Sequence, residues 1–231
     1  MKYNRKETIS SIVIKLIAIV SGIYGLFRTI YSIDSFTYFT VLSNILILVV
    51  LSIFLIIDIN SYISKKRRKI SNRLYIIKFF STISITLTFL VFLFILAPSF
   101  KGGLISAYSW CAWGSFCLHL LTPLLAIVDF LAFDHDYKEG KKDEYYAIIP
   151  PLIYTVFIII LGQTGYRWGT MMAPYNFLNY GAPTGWFGFK PTLSGETTGI
   201  GVVYSIIFLT IIFILIGKLF LFIKDKKLIF K

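Results

Sequence analysis

Six apolar runs, each about twenty residues long, restrict the fold of this sequence more than any other feature. A helix needs about twenty residues to cross a hydrocarbon core of ~30 Å. The runs cover residues 9–27, 38–58, 74–97, 113–133, 145–162 and 199–223. Hydrophobic residues make up 57% of the chain and charged residues 15%, which is more apolar than a soluble fold of this length can bury. We therefore predict an all-α polytopic membrane protein, with residues 1–231 forming a single domain of six transmembrane helices.

The distribution of basic residues predicts that the N and C termini are both cytoplasmic. The net charge is +12, but Lys and Arg occur in short runs between the apolar segments, which does not indicate a nucleic-acid partner. One side carries Lys2, Arg5, Lys6, Lys65, Lys66, Arg67, Arg68, Lys69, Arg73, Lys138, Lys141, Lys142, Lys224, Lys226, Lys227 and Lys231. The other side has only Arg28, Lys101, Arg167 and Lys190. Basic loops stay in the cytoplasm, so we expect a multi-pass protein of the cell membrane in contact with membrane lipids. The run at 65–69 either sets this orientation alone or also binds anionic lipid headgroups.

The predicted external loop at 163–198 is long and rich in aromatic residues. They are Tyr166, Trp168, Tyr175, Phe177, Tyr180, Trp186, Phe187 and Phe189. Such a loop either covers the outer end of the bundle or forms an aromatic belt at the membrane surface.

Ionisable residues inside the spans are expected to be paired or to reach the interface, because an isolated charge in the membrane is costly. We expect Lys15 and Lys218 to snorkel, and Asp58 to lie at the interface beside the basic loop. Lys78 and Asp129 are at matching depths on neighbouring helices, and we predict a structural ion pair between them.

Few residues in the sequence could hold a metal, so we expect no metal and no cofactor. The two cysteines, Cys111 and Cys117, are too few for a four-ligand site, and a disulfide between them is not expected. Of the two histidines, His135 is predicted to be solvated on the cytoplasmic side. His119 lies ~9 Å into the outer half of the bilayer, where it could be a general base, a ligand or a packing strut.

A second polar group is expected at the same depth on the second span. Thr40, Ser43 and Asn44 have i, i+3, i+4 spacing and share one helical face. Together with His119 they supply a hydroxyl, a base and an oxyanion donor for acyl transfer. Such residues also hold transmembrane helices together, and a similar face of Ser81, Ser84 and Thr88 on the third span is interpreted as packing.

Three segments together resemble the androgen-induced and androgen-dependent membrane hydrolases and their bacterial integral membrane relatives. They are Tyr38 to Asn44, HLLTPLLAIVDFLAFD from His119, and APYNFLNYG at 173–181. The animal members hydrolyse fatty acid esters of hydroxy fatty acids with an intramembrane threonine and a histidine. By position, the resemblance implies that Thr40 is the nucleophile and that His119 is its base.

These residues predict an intramembrane lipid ester hydrolase whose substrate enters sideways from the outer leaflet, with acyl chains held between the helices. Ser43 is a rival nucleophile, and Asn44 with Tyr175 or Asn176 could bind the oxyanion. Asp129 lies ~15 Å along the helix from His119, too far to orient it. The alternatives are a lipid-binding or transport protein and a regulatory membrane protein without catalysis. The sequence predicts no oligomeric state.

Overall fold

The computed structural model describes residues 3–99, 101–109, 113–138, 140, 142–190 and 199–225. Within these ranges, six helices are long and apolar enough to cross a membrane. They are Arg5–Phe27, Phe39–Ser64, Asn72–Phe94, Trp113–Phe133, Asp143–Gln163 and Val202–Asp225. The described residues contain no β-strand, only isolated bridges. The predicted all-α, multi-pass membrane fold is therefore confirmed.

The described residues form eight α-helices, of which all but α4 lie within the spans, and some spans also contain π-helical or 3-10 turns. The α-helices are α1 (Arg5–Phe27), α2 (Phe39–Ser64), α3 (Asn72–Val91), α4 (Gly103–Ala107), α5 (Trp113–Phe116), α6 (Thr122–Phe133), α7 (Ile149–Gln163) and α8 (Val202–Asp225). The chain divides into a first unit, residues Met1–Ala147 and Gly217–Lys231, and a second unit, Ile148–Ile216. Cys111, Lys2, Lys141, Lys226, Lys227 and Lys231 lie outside the described residues.

Local capping fixes where the first helices begin and end. The Asn4 side chain caps α1 by accepting hydrogen bonds from the backbone N–H groups of Lys6 and Glu7. α2 ends at Lys65, whose φ of 52° is left-handed, and the Ser71 hydroxyl then caps α3. The basic run after α2 is therefore a short connection between two antiparallel helices.

Two π-helical segments interrupt the third and fourth spans, and each lies just before a proline. The segment Phe92–Leu96 precedes Pro98, and the segment Cys117–Leu121 precedes Pro123. Proline has no N–H and its ring clashes with the carbonyl four residues earlier, so regular α-helical bonding cannot continue through it. The chain instead forms π-helical turns at these two places. Such turns are frequent at functional sites.

The end of the first unit where α1 begins contains a buried network of ion pairs, which we name the charge belt. Its members are Lys15, Asp58, Lys78, Asp129 and Asp134. Lys15 Nζ lies 2.8 Å from Asp58 Oδ2 and 2.6 Å from Asp129 Oδ1. Lys78 Nζ lies 2.6 Å from Asp129 Oδ2 and 2.7 Å from Asp134 Oδ2. The contact expected between Lys78 and Asp129 is thus part of a larger network that joins α1, α2, α3 and the end of α6.

The prediction that Lys15 snorkels to the interface is wrong, because the side chain is buried. Its side chain is 1% exposed, whereas Lys218 is exposed. A buried ammonium needs compensating charge, and Lys15 finds it in carboxylates of α2 and α6 that are distant in sequence. The Lys224 side chain of α8 also contacts the belt. Its Nζ donates to the backbone carbonyl of Asp134 at 2.6 Å and to that of Phe130 at 3.1 Å.

The second unit contains α7 and the described part of the aromatic loop, which folds onto itself. Tyr180 stacks on Trp186 with ring centroids 5.0 Å apart, and Tyr175 stacks on Phe177 at 5.2 Å. The Asn179 side chain accepts a hydrogen bond from the Met172 N–H at 3.0 Å. These contacts give the loop a defined fold within its own unit. Residues 191–198 of the loop lie outside the described part of the chain.

Candidate functional site

His119 lies in the middle of the π-helical segment Cys117–Leu121. Its imidazole stacks on the Phe92 ring of the other π-helical segment, with centroids 3.8 Å apart and planes inclined by 12°. The Nδ1 atom is buried and has no hydrogen-bond partner among the described residues. A neutral imidazole with its proton on Nε2 accepts at Nδ1. The stack therefore holds an imidazole in place while leaving a nitrogen without a partner.

Asn44 connects α2 to the segment that contains His119. Its Nδ2 donates to the carbonyl of Thr40 at 2.8 Å and to the carbonyl of Leu118 at 3.4 Å. In the π register the Leu118 carbonyl would accept from residue 123, which is proline, so the Asn44 amide supplies the missing donor. Since one nitrogen reaches both carbonyls, the start of α2 lies directly against this segment.

The oxygen of the Asn44 amide, unlike its nitrogen, accepts no hydrogen bond from the described residues. Oδ1 is buried, and no partner for it occurs in the described part of the chain. Asn44 is fully buried at 0% exposure, so bulk water does not satisfy this oxygen. An unpaired buried polar group costs roughly 1–3 kcal/mol. The cost is consistent with a place kept for a ligand or an ordered water.

The two hydroxyl residues near Asn44 differ in their surroundings. Thr40 is half-buried one turn before Asn44, with its carbonyl accepting from the side chains of both Ser43 and Asn44. The Ser43 hydroxyl is buried and lies 2.8 Å from the hydroxyl of Thr88 on α3. The Ser43 hydroxyl thus links two helices, which fits the packing interpretation of these faces and makes it the weaker nucleophile candidate.

Tyr108 is a polar residue of this region that the sequence analysis missed. It follows α4, and its ring packs edge-on against Phe92 at 5.3 Å and against Phe116 at 6.3 Å. Its Oη is buried without a hydrogen-bond partner within the described ranges. Burial also raises the pKa of Tyr108, so the phenol keeps its proton and can donate. No sequence signal distinguished it, because a tyrosine between two spans normally indicates an interface anchor.

The other polar residues considered from the sequence belong to the second unit, to the charge belt or to the surface. Tyr175 and Asn176 belong to the second unit, and their role at the oxyanion stays a prediction. Asp129 is in the charge belt with Lys15 and Lys78. His135 is at the surface, with Nε2 3.4 Å from Glu7 Oε1. Across the described residues, no group of three or more His, Cys, Asp and Glu side chains could hold a metal ion.

A lateral groove of about 670 Å³ opens on another face of the fourth span. On one side it is lined by Leu16, Val20 and Tyr24 of α1, and on the other by Trp113, Cys117 and Leu121. Its lining does not include Thr40, Asn44 or His119. This groove and the surroundings of His119 are therefore separate features.

No family model, curated protein or solved structure matches this chain. The fold alone defines the class, a multi-pass α-helical membrane protein.

Proposed function

We propose that the protein is an intramembrane lipid ester hydrolase with Thr40 as nucleophile and His119 as general base. The observation that supports this proposal best is the set of buried, unpartnered polar atoms around one π-helical segment. Among the described residues these are His119 Nδ1, Asn44 Oδ1 and Tyr108 Oη. Packing residues in a membrane normally satisfy their polar atoms, since no water is available to do so.

In the proposed reaction, Thr40 Oγ attacks the ester carbonyl carbon while its proton passes to His119 Nδ1. Collapse of the tetrahedral intermediate breaks the bond to the alcohol oxygen, which leaves with the proton from His119. Water then attacks the acyl-threonine and gives a proton to His119. The fatty acid departs, and Thr40 regains its proton.

The hydrogen-bond partners of Asn44 change its proposed role. Its Nδ2 is engaged with two carbonyls, so it is a poor donor to an oxyanion. Oδ1 only accepts, which suits it to hold the attacking water or a substrate hydroxyl. The phenol of Tyr108 is the better oxyanion donor, because it is neutral, buried and unpartnered in the described part of the chain.

The proposed orientation places the site in the half of the bilayer where its substrate lies. The bias of Lys and Arg supports cytoplasmic termini in the cell membrane, which would put His119 and Thr40 in the outer half of the bilayer. A lipid ester of the outer leaflet would then reach the site without crossing the membrane.

The test is covalent labelling of the purified protein in detergent with a long-chain alkyl fluorophosphonate. We expect specific labelling, with the modified peptide containing Thr40, and its loss in Thr40→Ala and in His119→Ala. Thr86→Ala is the matched control, because Thr86 is buried in α3 with its hydroxyl bonded to the Thr82 carbonyl. His135→Ala is the control for loss of a histidine.

Two outcomes would contradict the hydrolase. Labelling that persists in both Thr40→Ala and His119→Ala would remove this pair as the reactive groups. A wild-type protein that is folded and binds lipid but shows neither labelling nor ester cleavage would favour the alternative, a non-catalytic lipid-binding, transport or regulatory protein.

A further inference from the structure

The groove between α1 and the fourth span is bounded by two ladders of residues spaced four apart. Leu16, Val20 and Tyr24 form the α1 side. Such spacing keeps the side chains of each ladder on one helical face. The α1 ladder is about 12 Å long at ~1.5 Å per residue. The groove is therefore a slot that follows the helix axes at membrane depth.

Specific contacts keep the groove from closing by a shift of the helices. Thr122 Oγ1 donates to Ser21 Oγ at 3.1 Å, joining α1 to the fourth span beside the groove. Gly25 packs against Leu118, whose side chain would lie 2.7 Å from a Cβ added there. These contacts set the distance between α1 and the fourth span beside the groove.

The groove is also distinct from the surroundings of His119. Cys117 lines the groove, and His119 follows it by two residues in the π-helical segment, which places the two side chains on roughly opposite faces. One π-helical segment thus presents His119 to Phe92 on one face and Cys117 to the groove on another.

The chemistry of the lining indicates the occupant. The lining contains no Asp, Glu, His, Lys or Arg, and apart from Ser21 and Cys117 it consists of Leu, Ile, Val and aromatic side chains. The groove is open on one side, and its volume of about 670 Å³ is within the usual range for ligand sites. Tyr24 and Trp113 lie together at one end, and these residue types favour the headgroup level of a bilayer.

We propose that this groove is a binding site for one acyl chain of a bilayer phospholipid, with the headgroup at the end of Tyr24 and Trp113. The site does not depend on the proposed hydrolase activity, because the two lie on different faces of the fourth span. It would hold a resident lipid rather than the ester that reacts.

The experiment uses the full chain reconstituted in phosphatidylcholine vesicles that contain a phosphatidylcholine with a diazirine on one acyl chain. After illumination, mass spectrometry maps the crosslinked peptides. We expect crosslinks concentrated at residues 16–24 and 113–121. Val20→Trp, which fills the groove from a side chain that is 65% exposed, should lower them about tenfold. Ile56→Trp is the matched control, because Ile56 is 59% exposed on α2, away from the groove.

Crosslinks spread evenly over all exposed helix faces would overturn the proposal, as would an unchanged yield in Val20→Trp. Crosslinked dimers, or shielding of the groove that persists in lipid-free detergent and falls on dilution of the protein, would show that a second copy of the chain occupies it instead. A readout that needs no large side chain is alkylation of Val20→Cys in the Cys111→Ser protein, because Val20 is 65% exposed whereas Cys117 is 6% exposed. Added phosphatidylcholine should slow the reaction with N-ethylmaleimide, and an unchanged rate would also contradict the proposal.

Discussion

In the charge belt, each buried ionic side chain lies within ion-pair distance of an opposite charge. Asp129 Oδ2 and Asp134 Oδ2 make no aligned hydrogen bond, but they lie 2.6 and 2.7 Å from Lys78 Nζ. Around His119, by contrast, three buried polar atoms have neither a hydrogen bond nor an ion pair in the described ranges. Both regions belong to the first unit, and both involve α2 together with the third and fourth spans. Partnered groups lock helices together, and unpartnered groups weaken the fold unless a ligand satisfies them. On the proposed function, the difference separates residues that stabilise the fold from residues that act in the reaction.

The largest effect on stability is expected from breaking the belt. Lys78→Met leaves Asp129 and Asp134 short of positive charge in a buried place, so we expect a loss of about 3–5 kcal/mol in the free energy of unfolding. Reversible unfolding in mixed detergent micelles measures it. Lys218→Met, which removes an exposed lysine, should change the value by less than about 0.5 kcal/mol. Equal stability of the two variants would show that the belt is not a clamp.

A smaller effect is expected where α1 contacts the π-helical segment. The Cβ in Gly25→Ala would lie 2.7 Å from Leu118 Cγ and 3.1 Å from Cys117 Cβ. The Leu118 side chain must move, and overpacking of this kind costs about 1–3 kcal/mol. Because Leu118 precedes His119, fluorophosphonate labelling should also slow. Wild-type stability together with a wild-type labelling rate would mean that this contact does not position the histidine.

At His119, a substitution is expected to abolish labelling without a large loss of stability. His119→Phe keeps an aromatic ring against Phe92 and removes the unpartnered Nδ1, so the free energy of unfolding should stay within about 1 kcal/mol of wild type or rise. Labelling should be lost completely. A loss of stability as large as that of Lys78→Met would make His119 a structural residue and remove the contrast between the two regions.

The smallest effect concerns pH and the surface histidine. Burial lowers the pKa of His135, and the nearby Glu7 opposes this only in part. The unfolded chain then binds a proton more readily than the folded one, so stability falls as the pH drops below about 6.5 and levels off below the folded pKa. His135→Gln should reduce this dependence in unfolding measurements between pH 7 and pH 5. An unchanged pH profile would assign the dependence to other groups.

The spans were predictable because hydropathy alone constrains a membrane helix, and all six predicted runs coincide with observed helices. The contact between Lys78 and Asp129 was also accessible, since both charges lie a similar distance from the same membrane face. The ion pairs of Lys15 were not predictable, because a lysine near a span end is compatible with snorkelling until its partners on α2 and α6 are known. Long-range pairing is the information that a single sequence lacks.

The region around His119 was predictable only in part. The i, i+4 spacing of Thr40 and Asn44 did indicate a shared polar face, but not that Asn44 would donate to Leu118. Pro98 and Pro123 were the available signals for the π-helical segments, because a proline late in an apolar run forces irregular hydrogen bonding. The place of Tyr108 in this region was not predictable, because it depends on tertiary packing against Phe92 and Phe116, which no local sequence pattern indicates.

The charge belt has a consequence for how the protein is made. Its members are far apart in the chain, so during synthesis Lys15 enters the membrane before Asp58 and well before Asp129. A lone lysine inside an inserting helix costs up to about 2.5–3.5 kcal/mol, which the apolar residues of the first span must outweigh. Lys224 reaches the Asp134 carbonyl only after the last span is in place. Biogenesis therefore passes through stages with unneutralised charges in lipid, and a chaperone or insertase that shelters the early spans would matter most for this part of the molecule.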